Sequence, residues 1–382
     1  MNTYSSYKDS GIEWMGNIPE SWELTKNRFG FLKHKNGLNE SDDTNVLSLT
    51  TTGVKVKRDL NFGKSSESYI GHQLVEQGDI VFTPRDFDQT PILSDVSKYE
   101  GCISNLYIVD KTKENVLNRY VNYYWYGLKY SVDYFKNFSH GMRYSFNRFQ
   151  FDEIPLLIPS LREQQQISDY LDYKTSKIDI LIEKTQQKIE LLKEQRTSLI
   201  NTTVTKGLDP NVEMKDSGVE WIGDVPVGWD LVRLKYLFSL EGGKDPKRIQ
   251  DDDGEYPILG TGGEISRGSD FLYNKPTLLL GRKGTIDKPF LFDKPFWVSD
   301  VMYYTIQKSD ITPKYLYLLF TLTPFDYYRY GSTQPSMSRL DYESMFFPIP
   351  KKEERQQIVD YLDKETSKID KLVDIESKRI IL

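Results

Sequence analysis

"QQISDYLDYKTSKIDILIEKT", residues 165–185, returns as "QQIVDYLDKETSKIDKLVDIE" at residues 356–376, an offset of 191 residues that sets Tyr170 against Tyr361. In the first copy Ile178, Leu181, Ile182, Thr185, Ile189, Leu192, Arg196 and Leu199 recur at steps of three and four, leaving Glu, Lys and Gln on the other face. That spacing predicts one long amphipathic helix. It is expected to begin near Leu161, after Pro159, and to stop near "TKGLDP", where Gly207 and Pro210 give a C-terminal signal. At 1.5 Å per residue such a helix is about 60 Å long, too long to bury its stripe on one small domain. The second copy, from Glu353 to Leu382, offers a matching stripe of Ile358, Leu362, Ile369, Leu372 and Ile375. The economical expectation is an antiparallel coiled coil with Ile178, Leu181, Ile182, Ile189, Leu192 and Leu199 facing Ile358, Leu362, Ile369 and Leu372. The alternative is that each helix lies on its own domain.

A second repeat lies upstream of each helix. "KDSGIEWMGNIPESW" at 8–22 recurs as "KDSGVEWIGDVPVGW" at 215–229, so Trp14 and Trp22 match Trp221 and Trp229 at an offset of 207. Units repeated at such long spacing are duplicated domains, not a solenoid. Between the repeats lie two variable mixed segments. "GDIVFTPRD" and "CISNLYIVD" read as strands and "NRYVNYYWYGLKYSVDYF" as a helix; "TLLLGRKG" and "WVSDVMYYTIQ" read as strands and "TPKYLYLLFTL" as a helix. Offsets of 195 to 197 align Arg85 with Arg282, Ser104 with Ser299 and Tyr120 with Tyr315. The predicted class is α+β: two similar mixed domains separated by long helices. The boundaries fall at 1–157 for the first domain with its lead-in, 158–206 for the central helix, 207–348 for the second domain with its repeated lead-in, and 349–382 for the C-terminal helix.

Composition narrows the function. The 382 residues carry a formal charge of −6, with a pI near 5.4 and a mean hydropathy of −0.56. An acidic balance argues against nonspecific coating of nucleic acid but leaves room for local basic patches. No apolar run reaches membrane-spanning length and the N-terminus lacks an h-region, so the expected location is cytoplasmic. Cys102 is the single cysteine, which rules out an intrachain disulfide or thiolate zinc site and reads as a buried small hydrophobe. "GTGGEIS" and "GRKGT" lack the spacing of a phosphate-binding loop. Neither half carries a methyltransferase signature, a cofactor-binding glycine motif or a repeated nuclease carboxylate cluster, so the chain is expected to be non-enzymatic, with no metal and no cofactor of its own.

Taken together, "KDSGIEWMGNIPESW" with "KDSGVEWIGDVPVGW", "EQQQISDYLDYKTSKID" with "ERQQIVDYLDKETSKID", and "GSTQPSMSRLDYESMFFPIP" resemble the specificity subunit of type I restriction-modification enzymes over nearly the whole chain. The resemblance implies two target-recognition domains, each reading half of a split site in double-stranded DNA. It also implies two modification (methyltransferase) subunits docked on the helices, with restriction motor subunits joining them. S-adenosylmethionine, ATP and Mg would be used by those partners. The chain stops at Leu382, level with Leu191 of the first copy, so the second helix is expected to lack a counterpart of "LKEQRTSLI".

Base reading needs donors and acceptors in the major groove, with Arg to guanine and Gln or Asn to adenine the commonest pairings. The candidates are Arg85, Arg143 and Arg148 in the first domain, and Arg282, Lys283, Gln334 and Arg339 in the second, with Ser332 as a phosphate or base contact. Each could equally be a surface cation or a capping residue. Lys55, Lys57 and Arg58 read as phosphate neutralisers that set register without specifying sequence. Tyr123, Tyr124, Trp125 and Tyr126 could stack on bases, although at helical spacing such clusters are more often core. A tandem-repeat scaffold without DNA specificity is the rival reading.

Overall fold

The computed structural model describes residues 4–33, 37–58, 68–85, 91–138, 145, 147–331 and 335–381. They form two compact units, Met1–Ile180 and Leu181–Leu382. Arg143, Ser332 and Gln334 lie outside the described residues.

The first unit opens with an antiparallel hairpin of β1 (Tyr7–Asp9) and β2 (Asn17–Pro19). β3 (Glu23–Lys26) leads through the single turn α1 (Asn27–Gly30) into β4 (Phe31–Lys33). β5 (Leu47–Thr50) and β6 (Gly53–Val56) form a hairpin, and β7 (Gln73–Val75) pairs with β10 (Gly101–Ile103). β8 (Ile80–Phe82), β9 (Ser94–Val96) and β11 (Ile108–Thr112) complete an antiparallel sheet in the order β4-β11-β8-β9. α2 (Asn118–Tyr130) follows, then α3 (Arg148–Asp152) and β12 (Pro155–Ile158), which pairs back onto β3. The strand "IVF" of β8 is buried on both faces, and its alternation feeds two cores. Ile80 and Phe82 pack with Trp125, Phe151 and Leu156, whereas Val81 joins Leu47, Val75 and Val109. The aromatic run of α2 is therefore mainly structural: Trp125 is fully buried, and Tyr120 and Tyr124 donate to the carbonyls of Leu157 and Pro155. α2 ends at Tyr130, earlier than the sequence pattern suggests, just before Asp133 at a φ of 48°.

The second unit repeats this plan. β13 (Met214–Asp216) and β14 (Asp224–Pro226) form the lead-in hairpin, and β15 (Asp230–Arg233) precedes α5 (Leu234–Leu237) and β16 (Phe238–Gly242). β17 (Tyr256–Gly260) and β18 (Gly263–Gly268) are the second hairpin. β19 (Thr277–Gly281), β20 (Phe290–Phe292) and β22 (Met302–Gln307) give a sheet in the order β16-β22-β19-β20, while the short β21 (Trp297–Val298) runs parallel to β17. α6 (Pro313–Phe320), α7 (Arg339–Ser344) and β23 (Phe346–Ile349) complete the unit, with β23 on β15. β19 divides its side chains as β8 does: Leu278 and Leu280 face Tyr315 and Phe347, and Leu279 faces Phe296 and Met302.

Two long helices follow the two units' last strands: α4 (Leu161–Lys206) and α8 (Lys352–Ile381). The 46 residues of α4 correspond to about 69 Å. Gly207 ends it with a φ of 79°, where a Cβ would press on Trp229 and Glu354.

Within the second unit the last turns of α4 pair with α8. Lys188 binds Glu376 at 2.7 Å and Arg196 binds Asp370 at 2.9 Å, so advancing along α4 retreats along α8 and the pair is antiparallel. The seam on α4 is Ile182, Thr185, Ile189, Leu192, Arg196 and Leu199; on α8 it is Ile358, Leu362, Thr366, Ile369, Val373 and Glu376. Thr185 and Thr366 return their hydroxyls to the carbonyls of Leu181 and Leu362, so these buried polar groups are satisfied. Four residues of the expected stripes lie off it: Ile178, Leu181, Leu372 and Ile375, the last 47% exposed beside the inward-facing Glu376. Leu372 is 44% exposed because the adjacent Val373 takes the inward position, one residue of rotation away. Leu181 is 65% exposed, beyond the register reached by the described residues of α8, and Ile178 is 56% exposed. Leu362→Ala should therefore cost about 2–5 kcal/mol in chemical denaturation, whereas Leu372→Ala should stay within about 0.5 kcal/mol.

The two units differ at a buried pair of polar residues. Asp79 and Asp110 of the first unit occupy the ladder positions where the second unit has Thr277 and Thr305, which hydrogen-bond to each other. Burial pushes the Asp79 carboxyl up to about 6 from its ordinary 3.8. The unfolded chain thus releases this proton first, and stability should fall as pH rises from about 4 through about 6. Asp79→Asn should flatten that limb of the stability–pH curve measured by urea titration.

Candidate nucleic-acid interface

Each long helix starts on its own unit through the same set of contacts. Trp22 donates its indole N–H to Glu163 at 3.4 Å, and Trp229 donates to Glu354 at 3.1 Å. Burial works to raise the Glu163 carboxyl, but the Ser160 and Tyr4 hydroxyls bound to it hold it below the usual glutamate range. One residue on, the side chain of Gln164 is fully buried: it accepts from the Leu117 amide at 2.8 Å and donates to the carbonyls of Asn115 and Pro159. Arg355 occupies the matching place, donating to the carbonyl of Pro350 at 2.8 Å and pairing with Asp310 at 2.6 Å. Arg119 pairs with Asp169 and Asp172, as Lys314 pairs with Asp363. Sequence inspection had the tryptophan and glutamate repeats in view but not their pairing; the signal was that both members recur at their local offsets of 207 and 191. Trp14 and Trp221 pack on Tyr134 and Phe347 of their own units.

Among the described residues, Arg85 and the Arg282–Lys283 pair stand on equivalent loops of the two units. The loop after β8 presents Arg85, whose backbone bridges to Ser145 just ahead of α3. The loop after β19 presents Arg282 and Lys283, and Lys283 bridges to Ser336 just ahead of α7. Tyr330 and Ser336 exchange two backbone hydrogen bonds of 2.9 Å. The ladders correct one sequence correspondence. Val81 faces Val109 where Leu279 faces Tyr304, so Arg85 matches Lys283, and Arg282 matches Pro84. The β-bridges agree, because Ser145 and Ser336 are themselves 191 residues apart.

Arg85, Arg282 and Lys283 are exposed, and among the described residues none forms a salt bridge with a carboxylate. Arg282 lies over the Tyr303 ring at 5.9 Å. Lys55 and Arg58 are exposed and Lys57 is half-buried, on β6 and the segment just after it.

The paired arginines ahead of the last strand have diverged. Both short helices are closed by capping boxes, Asn147 with Gln150 and Ser338 with Asp341, which set Arg148 and Arg339 at the first helical position. Arg148 forks onto Asp110 at 2.8 and 2.7 Å and reaches Asp152 at 2.9 Å. Asp110 is 2% exposed and Arg148 36%. Burial disfavours the charge on Arg148, yet Asp110 and Asp152 outweigh it and hold the guanidinium more firmly protonated than usual. The fold thus accounts for Arg148, which the sequence offered as a DNA contact. Arg339 has Thr305 where Arg148 has Asp110, and it uses its Nε on Glu343 at 2.6 Å. Arg148→Ala removes the forked guanidinium from the buried Asp110 carboxylate and should cost about 3 kcal/mol of unit stability, while Arg339→Ala should cost less than about 1 kcal/mol, both read by chemical denaturation.

Among the described residues no cluster of His, Cys, Asp and Glu is placed to hold a metal ion, and no helix is long and apolar enough to cross a membrane. The described structure is a duplicated α+β unit, each copy anchoring a long helix and exposing cations on one loop. Comparison with known proteins gives the family. The profile described as "Type I restriction modification DNA specificity domain" matches residues 29–191 and 226–381. The putative type I restriction enzyme MjaX specificity subunit of Methanocaldococcus jannaschii is 24% identical over 401 residues, covering 95% of this chain and 90% of the relative. Among solved structures, a chain from a study of complex assembly and conformational transition of the type I R-M system aligns with a TM-score of 0.68 at 16% identity over 95% of both chains. The HsdS subunit from Thermoanaerobacter tengcongensis aligns with a TM-score of 0.55 at 14% identity, covering 97% of this chain and 93% of that one. The chain belongs to the family of type I restriction-modification specificity subunits, the non-catalytic members of such systems.

Proposed function

We propose that this chain reads a bipartite site in double-stranded DNA, one half-site per unit, and carries two modification subunits and, through them, restriction motor subunits. The domains doing so are those delimited at 1–157 and 207–348, with 158–206 and 349–382 as the helical regions that dock the partners. The observation that carries this reading is the repeated edge: the Arg85 loop bridged to Ser145, and the Arg282–Lys283 loop bridged to Ser336, each on a unit tied to a long helix. Partners supply the chemistry, with S-adenosylmethionine for methyl transfer and ATP with Mg for restriction. A subunit acting on chromosomal DNA works in the cytoplasm.

Arg85, Arg282, Lys283 and Arg339 take the base-reading role, joined by Arg143, Gln334 and Ser332 from the segments outside the described residues. Arg guanidinium groups favour the O6 and N7 of guanine, and such contacts are worth about 1–3 kcal/mol of discrimination. Lys55, Lys57 and Arg58 neutralise phosphates and position the first unit.

Two measurements test this. Purified chain mixed with its modification subunits should methylate a split sequence that neither component methylates alone. In the same assay Arg282→Ala should relax or change the methylated sequence in one half-site and leave the other half unchanged. Unaltered methylation and affinity in that variant would contradict the assignment, and failure of the wild-type mixture to bind DNA would favour a scaffold role.

A further inference from the structure

The β5–β6 and β17–β18 hairpins close through the same two-residue turn, and the same residue stands first in it. Thr50 pairs with Gly53 and Gly260 with Gly263, leaving Thr51–Thr52 and Thr261–Gly262 at the tips. Gly53 and Gly263 have φ of 98° and 108°, so both turns depend on glycine at their closing position. The first turn is rigid: the Thr50 hydroxyl donates to the Gly53 carbonyl at 2.8 Å, and the Val54 amide donates to Asp95 at 2.8 Å. Asp95 lies on β9 opposite Val81, in the hairpin whose loop carries Arg85. The second turn abuts the other reading loop, since a Cβ on Gly284, next to Lys283, would stand 3.7 Å from the Thr261 hydroxyl. Among the described residues neither the Thr51 nor the Thr261 hydroxyl has a hydrogen-bond partner, so the fold makes no use of either.

We propose that Thr51 and Thr261 are matched contacts to the DNA sugar–phosphate backbone, one per half-site. This inference rests on the DNA-reading function proposed above. The neighbouring loops differ between the units, with Arg85 matched to Lys283 and Pro84 to Arg282. Half-sites read by different residues share only their backbone. A residue kept at one turn position in both readers suits that shared element, because phosphate contacts fix register and carry no sequence information. A hydroxyl on a preorganised turn donates to a phosphate oxygen without ordering cost at the moment of binding.

The test uses the chain assembled with its modification subunits, titrated at several salt concentrations. The probes are a duplex bearing the sequence mapped as methylated in the host and a duplex of equal composition with both half-sites scrambled. Thr51→Val and Thr261→Val should each weaken binding to both duplexes by about fivefold, and the double variant by about 25-fold. The salt slope should stay unchanged, because no charge is lost, and so should the methylated sequence. Thr51→Ser and Thr261→Ser, which keep the hydroxyl, should recover the affinity lost in the valine variants. Undiminished affinity in the double valine variant overturns the inference, as does a loss confined to the cognate duplex or a shift in the methylated sequence, which would mark a base contact. A wild-type complex that binds neither duplex overturns the DNA-reading function and this inference with it.

Discussion

The fold hangs on the junction at which each long helix starts on its unit's last strand. At that point a polar side chain is driven into the fold: Gln164 against the loop before α2, Arg355 against the loop before α6. Burying such groups is unfavourable unless they find partners; Gln164 finds a backbone amide and two carbonyls, and Arg355 a carbonyl and the Asp310 carboxylate. The Trp22–Glu163 and Trp229–Glu354 hydrogen bonds close the other side of the same turn. A helix start held this way is fixed to its own unit by side-chain contacts as well as by the chain.

Duplication explains why so many contacts occur twice, and divergence shows what each site tolerates. Exchanging Gln164 for Arg355 is accompanied by Asp310 at the place of Asn115, so the added charge is paired. Exchanging the buried Asp110 for Thr305 releases the partner arginine from the interior, leaving Arg339 nearer solvent than Arg148. The loop edge has changed too, with Arg85 matched to Lys283 and Pro84 to Arg282, while the turn that holds Thr51 and Thr261 has kept its geometry.

Much of the fold was readable because periodicity and repetition are local signals. The long helices and the strands β8, β11, β19 and β22 follow from apolar spacing and from matched offsets, whereas the lead-ins are visible in sequence as a repeat and only in the structure as hairpins. The seam was harder: Ile182 and Leu181, or Leu372 and Val373, are adjacent apolar residues, and only the crossing of two helices decides which one turns inward. The reading edge was partly visible, since Arg85, Arg282 and Lys283 end strands, but the register that matches Arg85 to Lys283 is set by ladder hydrogen bonds between distant segments. Arg148 could not be told from Arg339 in sequence, because the difference lies in Asp110, 38 residues upstream of Arg148.

Native-state amide hydrogen exchange at the junction tests the central claim most directly. If buried contacts fasten each helix to its unit, amides of residues 165–169 and 356–360 should exchange as slowly as those of β8 and β19, and Gln164→Ala should speed only the first set. Exchange at both junctions as fast as in the exposed stretch 174–181, or no response to Gln164→Ala, would contradict the account.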